Sequence, residues 1–378
     1  MWVYFQTILV YLFLAWSMAS LGRKYVRSNK FGYIVAAVGI YSIIFGFRYG
    51  VGGDFFSYLG AFDEIVQGKQ FPIAASWEKG FYYLMRILAF FKSSSLFFSC
   101  VAFLQLFFIV LAIKDYKHVY PYLFLAFILT GTWLGFANIT RQIISMGFWV
   151  LSLRYAIERK PVQHYALIVA AILFHNSAVL LLPFYPIILI SSNWFKSVRI
   201  ELVLLAITLS LISVDVLQDF IERFDYVIRT VGYDHYIENR YDLVQSDDVH
   251  MGIGFYISIA INVVIILYSE FTKSFYKRDF FNLLYSLYFL GTLLHYLFIN
   301  SLVFSRVIVY LYYLQFVIVG FMLYYLYASR KTIPFYVLMS LMALTFVALM
   351  YRMTENWTVF VFNWQEDLFH YHQLHDFR

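Results

Sequence analysis

Between positions 96 and 113 the chain runs for eighteen residues without a charged side chain, and runs of this kind recur from one end of the sequence to the other. About 20 helical residues cross the hydrocarbon core of a bilayer. Inside that core the backbone finds no water and must satisfy its own hydrogen bonds, so such runs fold as helices. Clear runs lie at 3–20, 31–47, 96–113, 119–137, 141–157, 200–216, 251–269, 280–299, 304–328 and 334–351. The stretch 163–190 is too long for one upright helix. It is interrupted by His175, Asn176 and Ser177 and carries Pro183 and Pro186, so it reads as two short helices meeting near His175. The sum is an all-α, polytopic transmembrane bundle of about twelve spans. Composition agrees: 62% of residues are hydrophobic and 13% charged, against roughly 45–50% and about 25% in soluble domains. The lone Cys100 forms no internal disulfide, and no Cys/His spacing points to a metal. The first run lacks a basic leading segment and a small-residue cleavage site, and it reads as a retained span.

Charge sets the orientation, because short cytoplasmic loops collect Lys and Arg. With the N-terminus outside, Arg23, Lys24, Arg27 and Lys30 fall inside. So do Lys114 and Lys117, then Arg154, Arg159 and Lys160, then Lys196 and Arg199, then Lys273, Lys277 and Arg278, and finally Arg330 and Lys331. A single span over 163–190 would break this alternation. The net charge of +6 is thereby read as topology and not as a nucleic-acid surface. Both termini are expected to be extracytoplasmic. The chain is a single membrane domain over 1–378, with outer loops at about 48–95 and 217–250 and an outer tail at 352–378. Segment 78–91 is short and charged and reads as a helix lying at the interface.

Polar clusters gather at the outer ends of these helices, where charge is costly and usually functional. Arg48, three glycines ending in Gly53, then Asp54 and Tyr58 close the second span. Glycines let backbone approach a ligand, and turn N–H groups hold phosphate oxygens. Arg48 would grip a phosphate in fork geometry; Asp54 would either orient Arg48 or act as a base on a sugar hydroxyl. The structural alternative is a glycine turn with an Arg–Asp pair. Asn138, Thr140, Arg141 and Gln142 open another helix. An arginine gains nothing from the positive end of a helix dipole, so Arg141 calls for an anionic partner, unless it merely snorkels to the interface. His175 and Asn176 interrupt an apolar stretch, either as a proton-transfer site or as a hydrogen-bonded structural pair. Arg306 enters an apolar helix after Asn300 and Ser301. Three outer arginines suit a pyrophosphate. The loop 217–250 mixes carboxylates, tyrosines and arginines, which suits sugar hydroxyls and ring faces as well as a plain solvated loop. His370, His372 and His375 do not amount to a metal site.

Taken in order, Arg48 to Gly53-Asp54 to Tyr58, then Glu78-Lys79-Gly80-Phe81, then Arg141-Gln142, then Phe174-His175-Asn176-Ser177-Ala178, resemble the EpsG family of membrane polysaccharide polymerases, related in role to Wzy polymerases. Arg306 followed by Tyr310 is a weaker match. The family pattern has Asp-Tyr where this chain has Asp54-Phe55. The resemblance implies a GT-C-like membrane glycosyltransferase of the bacterial cytoplasmic membrane, inverting and working without metal or other cofactor. It would polymerise undecaprenyl-pyrophosphate-linked repeat units on the extracytoplasmic face, for O-antigen, capsule or exopolysaccharide. Its partners would be those lipid-linked glycans, the bilayer and a chain-length regulator. Arg141 and Arg306, assisted by Arg48, would bind the pyrophosphate, and His175 or Asp54 would deprotonate the acceptor. Gly53, Tyr58, Gln142 and Asn176 would support them. Three other readings stand beside this one. A polyprenyl-linked-sugar glycosyltransferase adding single sugars is suggested by Asp54 with Asp63-Glu64. A lipid-linked oligosaccharide flippase would show repeats and charges at mid-membrane depth. A glycan acyltransferase would use His175 and have no need of the three arginines.

Overall fold

The computed structural model describes residues 2–70, 72–212, 252–299, 302–352 and 358–367. The expected loop at 217–250, Asn300, Ser301 and the tail histidines lie outside the described residues. The architecture is helical throughout, apart from one two-stranded ribbon. Helices α1 (Trp2–Ser28) and α2 (Gly32–Gly46) form a hairpin; α3 (Phe55–Val66) and α4 (Lys79–Ala89) follow, and then α5 (Ser94–Ala112). Next come α6 (Tyr120–Leu129), α7 (Thr132–Asn138), α8 (Thr140–Ile157), α9 (Pro161–Phe174), α10 (Phe184–Ile190) and α11 (Val198–Ser210). The remainder is α12 (Ile253–Leu267), α13 (Ser269–Tyr276), α14 (Asp279–Leu297), α15 (Leu302–Tyr312), α16 (Gln315–Ala328) and α17 (Thr332–Tyr351).

Local chemistry explains several boundaries. The Ser93 hydroxyl accepts from the Leu96 N–H at 3.2 Å and starts α5. Pro161 opens α9, where a missing N–H costs nothing. His175 is extended (φ −158°, ψ 122°) and separates α9 from a 3-10 turn over Asn176–Leu181. The stretch 163–190 is thus broken at His175, as its polar interruption requires. The 78–91 segment contains the short helix α4, whereas α3 within the 48–95 loop was not expected.

Among the described residues, five helices are long and apolar enough to cross a membrane: α1, α5, α14, Arg306–Ala328 and α17. Counting two bent pairs as one span each raises this to seven; α6 bends by 67° into α7, and α12 by 54° into α13. The other expected spans coincide with shorter helices such as α2 and α9. A bundle can carry these because neighbouring helices, and not lipid, cover their ends.

The basic turns meet at one end of the bundle. Arg154 pairs with Asp115 at 2.6 Å, Arg278 lies over the Tyr116 ring at 5.3 Å, and Ser192 donates to Asp279 at 3.1 Å. At the opposite end, the strand β1 (Arg48–Tyr49) pairs antiparallel with β2 (Val361–Phe362). Tyr11 donates to the Thr358 carbonyl at 3.0 Å and Tyr49 to Glu366 at 2.7 Å, so the chain after α17 returns to strap the start of the first long loop. Tyr11 also stacks on Trp133 at 4.0 Å, in a core built largely of rings.

Gly52 adopts φ +90° and packs where a Cβ would stand 2.8 Å from the Ala137 carbonyl oxygen. A Cβ on Gly53 meets only Asn138, at 3.6 Å. Gly52→Ala should therefore cost at least about 1–2 kcal/mol, the left-handed penalty for an L residue, before any clash is counted, whereas Gly53→Ala should be near neutral. Thermal melts of the two purified variants in detergent check this; equal melting temperatures would contradict it.

Candidate active site

Glu78 is the hub of the strap end. It sits just before α4, its carboxylate side chain only 7% exposed. One oxygen pairs with the Arg141 guanidinium at the start of α8. The other lies 2.9 Å from His175 Nδ1 and accepts from the Asn176 backbone N–H at 3.2 Å. Burial alone would raise this carboxyl, but the His175 hydrogen bond and the Arg141 charge outweigh it and bring its pKa from 4.5 down to about 2. The stability that this lowered carboxylate contributes is present at any pH above its ordinary value and is lost as pH falls through the lowered one. At neutral pH Glu78 is therefore anionic. Local packing delivers it: at Gly80 a Cβ would lie 2.7 Å from the Leu173 carbonyl oxygen, so α4 rides against the end of α9.

Arg141 lies over the Trp77 ring at 4.8 Å and acts on the Tyr58 hydroxyl of α3. Its Nε is buried without a hydrogen-bond partner among the described residues, and a quarter of the side chain (24%) remains exposed. The same holds for His175 Nε2, which has no partner among the described residues. An ionised carboxylate can only accept, so Nδ1 is the donor of this pair, and in the neutral imidazole Nε2 carries the lone pair. Gln142 donates to the backbone carbonyl of Arg306, which fixes α15 beside α8. Tyr310 joins the same elements through Ser145 at 3.2 Å and Ser177 at 3.1 Å. Asp54 is pushed up by burial and drawn back by the charges of Arg306 and Arg141, so all three share one region. Gly53 donates its N–H to the Asn138 side chain, next to Arg141.

Of the sequence-derived candidates, Gly53, Asp54, Tyr58, Arg141, Gln142, His175, Asn176 and Arg306 converge here. Arg48 does not. It is 4% exposed, donates to the Phe45 carbonyl at 2.7 Å and the Val51 carbonyl at 3.2 Å, and lies 4.7 Å over the Phe98 ring. The expected Arg48–Asp54 pair is absent. Arg48 shapes the glycine turn from within and does not face the site, because its donors are taken by the Phe45 carbonyl in the last turn of α2 and the Val51 carbonyl in the turn that follows. Arg141 does have the anionic partner its helix position demands, but Glu78 supplies it. Glu78 entered the sequence argument only as part of a motif. The signal for more was its standing as the one carboxylate in 65–114, next to Trp77.

The fold and this site define a multi-pass membrane protein with a cationic, histidine-bearing centre at one end of its bundle. The EpsG family model matches residues 31–364, and the chain belongs to the EpsG family. That makes it a membrane protein of the polysaccharide-polymerase kind. No curated protein and no solved structure matches it.

Glu78→Gln should leave membrane-inserted protein at normal levels. The amide can donate to Nδ1 and so reverse the imidazole tautomer, as happens when a triad aspartate becomes asparagine; polymer yield should fall on the order of 10²–10⁴-fold. Normal polymer from this variant would remove Glu78 from the site.

Proposed function

We propose that the chain transfers a growing glycan from an undecaprenyl pyrophosphate carrier to the terminal sugar of a second lipid-linked repeat unit, on the extracytoplasmic face. One observation carries this reading: Glu78 holds Arg141 and His175 together, with Arg306 brought alongside by Gln142. In this reading the two arginines are an anion-binding pair and His175 is the nitrogen base beside them.

In this reading Arg141 and Arg306 take the pyrophosphate, whose charge grows as its bond to the anomeric carbon breaks. His175 Nε2 accepts the proton of the acceptor hydroxyl, and that oxygen forms the new glycosidic bond. Attack opposite the leaving group inverts the anomeric centre. The arginines supply the positive charge that a divalent ion supplies elsewhere, so no metal enters the scheme. Glu78 fixes the imidazole tautomer, and Asp54 sets the position of the two arginines. The charges of this site lie at one end of the bundle and not at mid-depth, which favours an enzyme over a flippase.

Arg141→Ala and His175→Gln should each leave protein in the membrane and abolish the polymer ladder, with lipid-linked single repeat units accumulating. Arg141→Lys should restore little, because it loses the planar fork. Ladder loss without accumulated single units would point instead to single-sugar addition or to flipping. If Asp54→Asn abolishes the ladder while His175→Gln retains it, Asp54 is the base.

A further inference from the structure

The end of the bundle opposite the candidate active site carries a second charged concavity. A cavity of about 700 Å³ lies among the α1–α2 turn, the α5–α6 turn and the corner before α14. Its lining includes Lys114, Lys117 and Arg278, with a single carboxylate, Asp115. That carboxylate is already bound to Arg154 at 2.6 Å. Among the described residues Lys114, Lys117 and Arg278 form no ion pair.

We propose that this cavity binds the phosphate headgroup of an anionic phospholipid. Three cations around one concavity, with its only carboxylate committed elsewhere, leave an uncompensated positive field that a phosphate neutralises. Arg278 rests its guanidinium face 5.3 Å over the Tyr116 ring, which leaves its N–H edge for an oxyanion. An adjoining cavity of about 310 Å³ provides a contrast. It shares Arg278 and Asp115, but its lining balances Arg154, Lys277 and Arg278 against Asp115, Glu158 and Asp279. The cations of the smaller cavity thus face three carboxylates, whereas those of the larger cavity face one. A topology bias alone would spread cations over this end, not converge them from two separate turns, the α5–α6 turn and the corner before α14, on one cavity.

The location favours lipid as the source of the phosphate. The cavity lies at the ends of the spanning helices α1, α5 and α14, and Tyr25 and Phe31 line it. Aromatic rings at that level sit where headgroups meet acyl chains, and the basic side of a membrane protein faces the anionic cytoplasmic leaflet. A bound headgroup would cross-brace three inter-helix turns.

The test is native mass spectrometry of the full-length protein in detergent, titrated with phosphatidylglycerol. Saturable binding is expected, weakened about tenfold or more in the Lys114→Gln/Lys117→Gln/Arg278→Gln variant. Arg278→Lys keeps the charge and hence the topology; it should fold normally and lose only part of the affinity. A control with Arg23→Gln, Lys196→Gln and Lys331→Gln alters the same end outside the cavity and should bind as the unaltered protein does. An equal loss in the control would show diffuse attraction and overturn the site, as would equal binding of phosphatidylcholine. Displacement of the lipid by inorganic phosphate or ATP would overturn the lipid assignment in favour of a soluble phosphate ligand. None of these readouts depends on polymerisation, so their failure would leave the catalytic reading standing.

Discussion

A carboxylate removed from water must be met by positive charge or hydrogen-bond donors, or it will not stay ionised. Glu78 is met three times: by the guanidinium at the start of α8, by the imidazole at the break after α9, and by the Asn176 N–H of the following turn. These contacts hold α4, α8 and the α9 break in one arrangement, and the geometry of the candidate site follows from them. The arginine at the positive end of α8 is tolerable because Glu78 lies against it. The histidine presents a defined nitrogen because the carboxylate takes the other.

Around this centre the structure uses neutral polar contacts where burial would make charge costly. The Tyr310 hydroxyl reaches Ser145 and Ser177, and Gln142 reaches the Arg306 carbonyl. Arg48 is different: a cation is buried among rings, and its donors satisfy one carbonyl at a helix end and one in the turn after it. The strap formed by β1 and β2 closes the loop from outside. The two ends of the bundle thus serve different chemistry. One concentrates a hydrogen-bonded polar set, and the other gathers cations, of which Lys114, Lys117 and Arg278 line a shared cavity.

Much of this was legible in the residues. Apolar runs specify helices because the bilayer forbids unpaired backbone. The break at His175 was readable because three polar residues interrupt a run otherwise suited to lipid. Helix α3 was not readable: its sequence lies in a charged loop, and its burial against α4 and α5 is a tertiary outcome. Among the described residues several runs of adequate composition fold as shorter or bent helices, as at Thr130–Gly131, where Gly131 turns with φ +72°.

The sequence by itself determined the membrane class, the helical content, the gathering of basic turns at one end and the set of polar residues at the other, because each depends on composition and on order along the chain. Which of those polar residues meet was decided by the tertiary structure. Arg48 and Asp54 are six positions apart and do not pair, whereas Glu78 and His175 are 97 positions apart and do. The pairing of a buried charge depends on which helix ends pack together, and helix packing is set by the shapes of whole faces that no local motif encodes.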